Sequence, residues 1–231
     1  MRLQYEDYSE NIVFSQPRFL LYNRWMKKLE FLALSRPANI ISSVIFAVLW
    51  STFALRQLEA FQATGKYVFI LFCISESLAA VFFLVRKLPK HVSLDPFDWF
   101  IAAGGTFTPF LFRPGGGVLW EGGEILVVLA VLIKITAVLS LNRSFGIVVA
   151  KRDIMTGGLY RIVRHPIYAS YMISYSGFVL FNFTSFNLAF MGAALMFHNL
   201  RLIREEEYLS QDPAYQAYMK RVKWRLFPFI Y

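Results

Sequence analysis

Apolar residues in this chain fall in long runs separated by short polar breaks. The runs lie at about 38–55, 67–85, 97–112, 119–141, 166–183 and 186–202. Several approach the roughly 20 residues that carry a helix across a bilayer. The pattern predicts an all-α fold, a polytopic transmembrane helical bundle with six membrane segments. The third run holds Gly104, Gly105 and Pro109, so it is expected to be thin, bent or tightly packed against its neighbours. RPGGG makes the turn that follows. The last two runs are separated only near Thr184 and Ser185, which fits an antiparallel hairpin. The final helix should leave the membrane towards Leu209, ahead of a C-terminal cytosolic helix.

The stretch before the first run has a different period. In FLLYNRWMKKLEFLAL, residues 19–34, Tyr22, Trp25, Met26, Leu29 and Leu32 share one helical face. Asn23, Arg24, Lys27 and Lys28 occupy another. This predicts an amphipathic helix lying on the membrane surface, which Pro37 ends or redirects. Two units result: residues 1–37, a polar tail with an interfacial helix, and residues 38–231, an integral membrane domain.

Charge tests the topology. Twenty of the 24 lysines and arginines fall in segments 1–37, 86–96, 142–165 and 201–231. Six spans place these four segments on one side, the cytoplasmic side by the positive-inside rule. Both termini are then cytoplasmic, in a multi-pass integral membrane protein, of the plasma or inner membrane if the source is bacterial. A re-entrant third segment would spoil this alternation. The formal charge of +9 therefore reads as contact with anionic headgroups and an anionic ligand, not with nucleic acid. A mean hydropathy of +0.47 agrees. Cys73 has no partner for an internal disulfide, and the mixed charges of the first 18 residues do not suit a cleavable signal peptide.

Two polar clusters carry candidate chemistry. GLYRIVRHPIYASY, residues 158–171, sets Arg161, Arg164 and His165 just ahead of Pro166. Proline suits the first turn of a helix. The helix's unpaired N–H groups would then sit beside three basic side chains, a place for a carboxylate or phosphate. A plain positive cytoplasmic loop explains the same residues. HNLRLIREEEYL, residues 198–209, ends the last helix with cations and three successive acids. Arg201 and Glu205 share a face, while Glu206 points elsewhere. Solvated ion pairing is one reading; a pocket for a zwitterion is the other.

Taken together, these stretches resemble a known family. GLYRIVRHPIYASY, then RLIREEEYL, AYQAY and the terminal RLFP, with NRSFGIVVAKRDI upstream, is similar to the isoprenylcysteine carboxyl methyltransferase and phospholipid methyltransferase superfamily. The likeness covers roughly residues 97–231. It implies an S-adenosylmethionine-dependent membrane methyltransferase whose cofactor site lies mainly in 142–231. The family's ligand-binding positions match Tyr160, Arg164, His165, Pro166, Tyr168, Glu205, Glu206 and Leu209. Lipophilic or prenylated substrates and membrane lipids are the implied partners.

Methyl transfer from a sulfonium needs alignment and exclusion of water more than acid–base chemistry. A terminal carboxylate, with a pKa of about 3.5, is already ionised, so an arginine to orient it would suffice. Arg164 and Arg201 are the catalytic candidates, and Arg204 is a further one. The implied acceptor is a carboxyl group of an isoprenylcysteine-like substrate; phospholipid and thiol acceptors stay open. So do a membrane NADPH-dependent reductase and a noncatalytic transporter or interaction protein. Within the spans, Glu76 and Lys134 are costly unless paired or facing a polar cavity, and their similar depths suggest a pair. The histidines form no metal set, and no metal is expected. Accessibility labelling should find Lys66 and Lys90 on opposite sides of the membrane; labelling of both from one side contradicts the six-segment topology.

Overall fold

The computed structural model describes residues 28, 30, 31, 34–65, 67–89, 91–113, 116–144, 146 and 150–231. The interfacial helix expected at 19–34 lies mostly outside these residues. Among those described, the chain is helical, and each predicted membrane segment meets a helix.

The first helix, α1 (Arg36–Thr64), starts where Ser35 accepts from the Ala38 N–H at 3.3 Å and Pro37 occupies the first turn. It pairs with α2 (Val68–Val85). Their seam is aromatic: the Trp50 and Phe83 rings lie 4.9 Å apart, and Phe46 lies 5.1 Å from Phe83. Small Ala79 and Ala80 admit these rings at the seam.

The third segment is short. Asp95 caps α3 (Pro96–Phe107), which gives way to a 3₁₀ turn at Thr108–Leu111 around Pro109. α4 (Gly123–Leu141) follows, then α5 (Pro166–Phe181), α6 (Ser185–Leu209) and the short α7 (Pro213–Arg221). Among the described residues, four stretches are long and apolar enough to cross a membrane: Arg36–Ala63, Val68–Val85, Gly123–Ser144 and Ser185–Leu209. The third and fifth predicted segments fall short, because Pro109 breaks one and Asn182 closes the other after 16 residues.

Where α4 meets α5, backbone touches backbone. A Cβ on Gly123 would stand 2.5 Å from the Gly177 carbonyl oxygen, and one on Gly177 would stand 2.6 Å from that of Gly123. Reciprocal glycines let two membrane helices approach this closely. The apolar side chains of Val127 and Val131 then pack beneath the crossing. On the other flank, Gly104 of α3 takes the Phe197 ring of α6, with a Cβ there only 2.6 Å from the ring.

The polar connections are held together at the same end of the bundle. His91–Val92 (β1) pairs antiparallel with Ala150–Lys151 (β2). Lys87 reaches Asp153 at 2.5 Å, and Arg143 Nε donates to the Val85 carbonyl at 2.7 Å. The tail after α7 returns to the start of α5, where Arg164 and His165 N–H groups donate to the Trp224 and Arg225 carbonyls at 2.9 and 2.8 Å.

Replacing Gly177 with Leu should cost about 1–3 kcal/mol by overpacking and lower the thermal midpoint in detergent. Gly192→Ala serves as the control, since nothing lies within 4 Å of a Cβ there. Equal midpoints for the two variants would contradict the backbone crossing.

Candidate functional site

His165 is the residue just before α5, and Pro166 sits in that helix's first turn. The acids Glu205, Glu206 and Glu207 occupy the last turn of α6. Acids there oppose the helix dipole, whose carboxyl end is negative. Arg204 of the same helix reaches Glu207 at 3.5 Å, and for Glu206 the fold supplies cations from elsewhere in the chain.

Glu206 is 4% exposed. Its Oε1 accepts from Arg164 Nε at 2.6 Å and from His165 Nε2 at 3.0 Å. Its Oε2 accepts from Arg164 Nη2 at 3.2 Å and from Arg225 Nε at 2.8 Å. The remaining Arg164 nitrogen, Nη1, donates to the Val222 and Lys223 carbonyls at 2.8 Å each. One carboxylate thus joins the end of α6, the start of α5 and the tail. Two guanidiniums against one carboxylate leave this junction positively biased.

The next residue back, Glu205, faces another way. It accepts from the Tyr168 hydroxyl at 2.7 Å and lines a cavity of about 920 Å³, within the usual size range for ligand pockets. Tyr160, Arg164, His165, Tyr168, Arg201 and Leu209 also line it. Pro166 and Glu206 lie behind the wall, not on it. Arg204 points away from the cavity, to Asp98 at 2.7 Å and Asp95 at 2.6 Å. Of the two catalytic candidates, Arg164 is engaged by Glu206 and the tail carbonyls. Arg201 has its guanidinium 5.5 Å over the Tyr168 ring and reaches the Gly146 carbonyl at 3.3 Å.

Several lining residues were not singled out from the sequence. Arg152 lines the cavity, and its Nε and that of Arg201 are buried without a hydrogen-bond partner among the described residues. Burial, and after it the Arg86 guanidinium, brings Arg152 down to about 10 against the opposing pull of Glu205. It is still charged at neutral pH. Nothing in the polar interval 142–165 marks Arg152 among its basic neighbours. Tyr215 and Tyr218 of AYQAY also face the cavity, and their i, i+3 spacing is the signal that could have found them. Tyr218 donates to the Tyr160 carbonyl at 2.8 Å; burial pushes its own pKa up to about 12.

The arrangement can hold a molecule carrying both charges. Glu205 offers an acceptor, Arg152 and Arg201 offer unmatched donors, and tyrosine rings supply flat apolar faces. Deeper in, the walls become apolar and aromatic, and the expected ion pair is present: Lys134 Nζ lies 2.7 Å from Glu76 Oε1.

Residues 118–216 match the model of the phospholipid methyltransferase family. This match bears out the superfamily likeness carried by RHP and the acidic turn, ends within AYQAY, and suggests a membrane methyltransferase with lipid or other lipophilic substrates. Residues 1–117 and 217–231, the latter with the terminal RLFP, lie outside it. No curated protein matches the chain with significance.

The two adjacent acids should behave differently on removal. Glu206→Ala leaves buried cations unpaired and should cost about 3–5 kcal/mol, read from denaturant unfolding. Glu205→Ala should cost clearly less. Equal losses would contradict the division between a buried junction and a cavity wall.

Proposed function

We propose that the chain transfers a methyl group from S-adenosylmethionine to a lipophilic acceptor, and that the accepting group is a carboxyl on an isoprenylcysteine-like molecule. The observation that carries this reading is the juxtaposition of Glu205 with the unmatched Arg152 and Arg201 nitrogens at the polar end of a mostly apolar cavity. Members of the matched family generally use S-adenosylmethionine, and the donor set fits its zwitterionic amino-acid portion. Glu205 would receive the ammonium, with Tyr168 steadying the carboxylate. Arg152 would take the carboxylate. Tyr160, Tyr215 and Leu209 would flank the remainder. When bound, the cofactor supplies a methyl group activated on a sulfonium.

The remaining roles follow from charge and burial. His165 and Arg164 form the wall, their side chains fixed by Glu206. Glu206 acts through them as a positioning residue, and Pro166 starts the helix that carries Tyr168. Arg201, with spare donors and its position over Tyr168, would orient the acceptor carboxylate. That group is anionic near neutral pH, so no proton need be removed. The apolar walls keep water away from the reacting atoms. The same reading sets the polar end on the cytoplasmic side, where segments 142–165 and 201–231 gather their charge.

A phospholipid amine is the second reading, favoured by the name of the matched family. Labelled methyl transfer in lipid bilayers, offered prenylcysteine, phospholipid and thiol acceptors, separates these readings. A labelled carboxyl ester is the expected product. Label in phospholipid only would replace the carboxyl reading, and no product with any acceptor would overturn both. Glu205→Gln should weaken S-adenosylhomocysteine binding in calorimetry by roughly 10- to 100-fold, the value of a charged hydrogen bond. Unchanged affinity would remove Glu205 from the cofactor site.

A further inference from the structure

The cavity also carries polar groups that methyl transfer does not use. Glu76 of α2 and Lys134 of α4 meet there, each side chain 14% exposed, and both line the cavity. Ionisable groups at membrane depth are costly and typically face a partner or a polar cavity. This pair does both. It is neutral overall, yet not saturated, since an ammonium has three donors and a carboxylate several acceptor positions. Among the described residues, one hydrogen bond joins them.

His198 of α6 is linked to the pair through Tyr171. Its ring stacks on Tyr171 at 4.7 Å, and Lys134 Nζ lies 5.7 Å from the centre of that same tyrosine. The histidine is 1% exposed but lines the cavity. Its Nε2 pairs with the Tyr175 hydroxyl at 3.1 Å, while Nδ1 is buried without a partner among the described residues. In either tautomer, Nδ1 keeps one free donor or one free lone pair. The facing wall is Gly105, where a Cβ would stand 3.3 Å from Nδ1; a larger residue would crowd the ring edge.

We propose that Glu76, Lys134, Tyr175 and His198 form a second polar station, which binds a neutral oxygen carried part-way along the apolar body of the acceptor. The inference rests on the reading of this cavity as the acceptor site. A hydroxyl or carbonyl fits, because the station has no net charge to attract an ion and can both donate and accept. A purely apolar body would cover the pair and the histidine without replacing any hydrogen bond, which is unfavourable. The station therefore selects acceptors with an oxygen function along the chain over plain hydrocarbon ones.

The test uses the full chain in nanodiscs and reads ligand affinity from the concentration dependence of the unfolding midpoint. The probes are stearic acid and a series of hydroxystearic acids with the hydroxyl moved along the chain; empty nanodiscs correct for partitioning. At least one isomer should bind roughly tenfold tighter than stearic acid, the worth of one or two net hydrogen bonds. Lys134→Met should reduce that preference to about twofold or less. The double variant Glu76→Gln with Lys134→Met, which leaves no charge unpaired, serves if the single variant does not fold. S-adenosylhomocysteine binding by calorimetry should persist in whichever variant is used. Equal binding of all isomers by the unaltered protein overturns the station, as does a preference that survives loss of the pair. Loss of S-adenosylhomocysteine binding by the unaltered protein would instead strike the functional reading beneath it.

Discussion

Glu206 is a carboxylate with four hydrogen bonds and almost no contact with water. A buried charge persists only when its lost hydration is replaced. Here the replacement comes from residues far apart in sequence: Arg164 and His165 at the start of α5, and Arg225 in the tail. The requirement to satisfy that one group therefore determines where three elements meet. It turns the RHP segment into a rigid wall and draws the tail across it. Arg164 completes the lock by donating to two tail carbonyls. The residues around the cavity mouth inherit their positions from this junction.

Helix packing makes the space that the junction closes. Backbone contact at Gly123 and Gly177 brings α4 and α5 together, and the Phe197 ring fills the space beside Gly104 on the opposite flank. Between these close approaches lies the cavity, lined by charged residues such as Glu205 and Arg201 and by aromatic rings such as Phe69, Phe72 and Phe178. Lys134 and Glu76 sit within it at a depth where isolated charges would be unfavourable. Their mutual contact offsets the cost of placing two polar groups there. A lipophilic ligand would thus meet charged residues and a neutral polar pair.

Much of the candidate site was legible because its residue types conflict with their local setting. Three acids ending a helix oppose its dipole, and a basic cluster ahead of Pro166 gathers like charges, so both ask for partners beyond their immediate neighbours. The same logic brought Glu76 and Lys134 together, since each is costly alone. Glu205 and Glu206 were harder to separate. They are adjacent and chemically alike, and helical rotation alone sends them in different directions without saying which direction is cavity. Arg152 lay within the quoted NRSFGIVVAKRDI stretch, but nothing there set it apart from the other basic residues of a polar interval. Its significance lies in burial and in the missing partner for its Nε. His198 was a lone histidine on a helix until Tyr171, Tyr175 and Gly105 were seen around it.

By itself, the sequence determined the helical membrane class, the order of the segments and the two clusters that hold the polar chemistry. Those properties follow from runs of hydrophobicity and from charges whose cost is local. Tertiary structure alone decided which of two neighbouring glutamates is buried and which lines the cavity. It also decided that Arg164 is engaged while Arg201 keeps donors to spare, and that the fifth predicted segment, like the third that Pro109 had marked, is short. Those outcomes depend on contacts between α5, α6 and the tail, and on where Pro109 and Asn182 interrupt their helices. Hydropathy registers how apolar a segment is, but the partner each polar atom finds depends on which elements pack together.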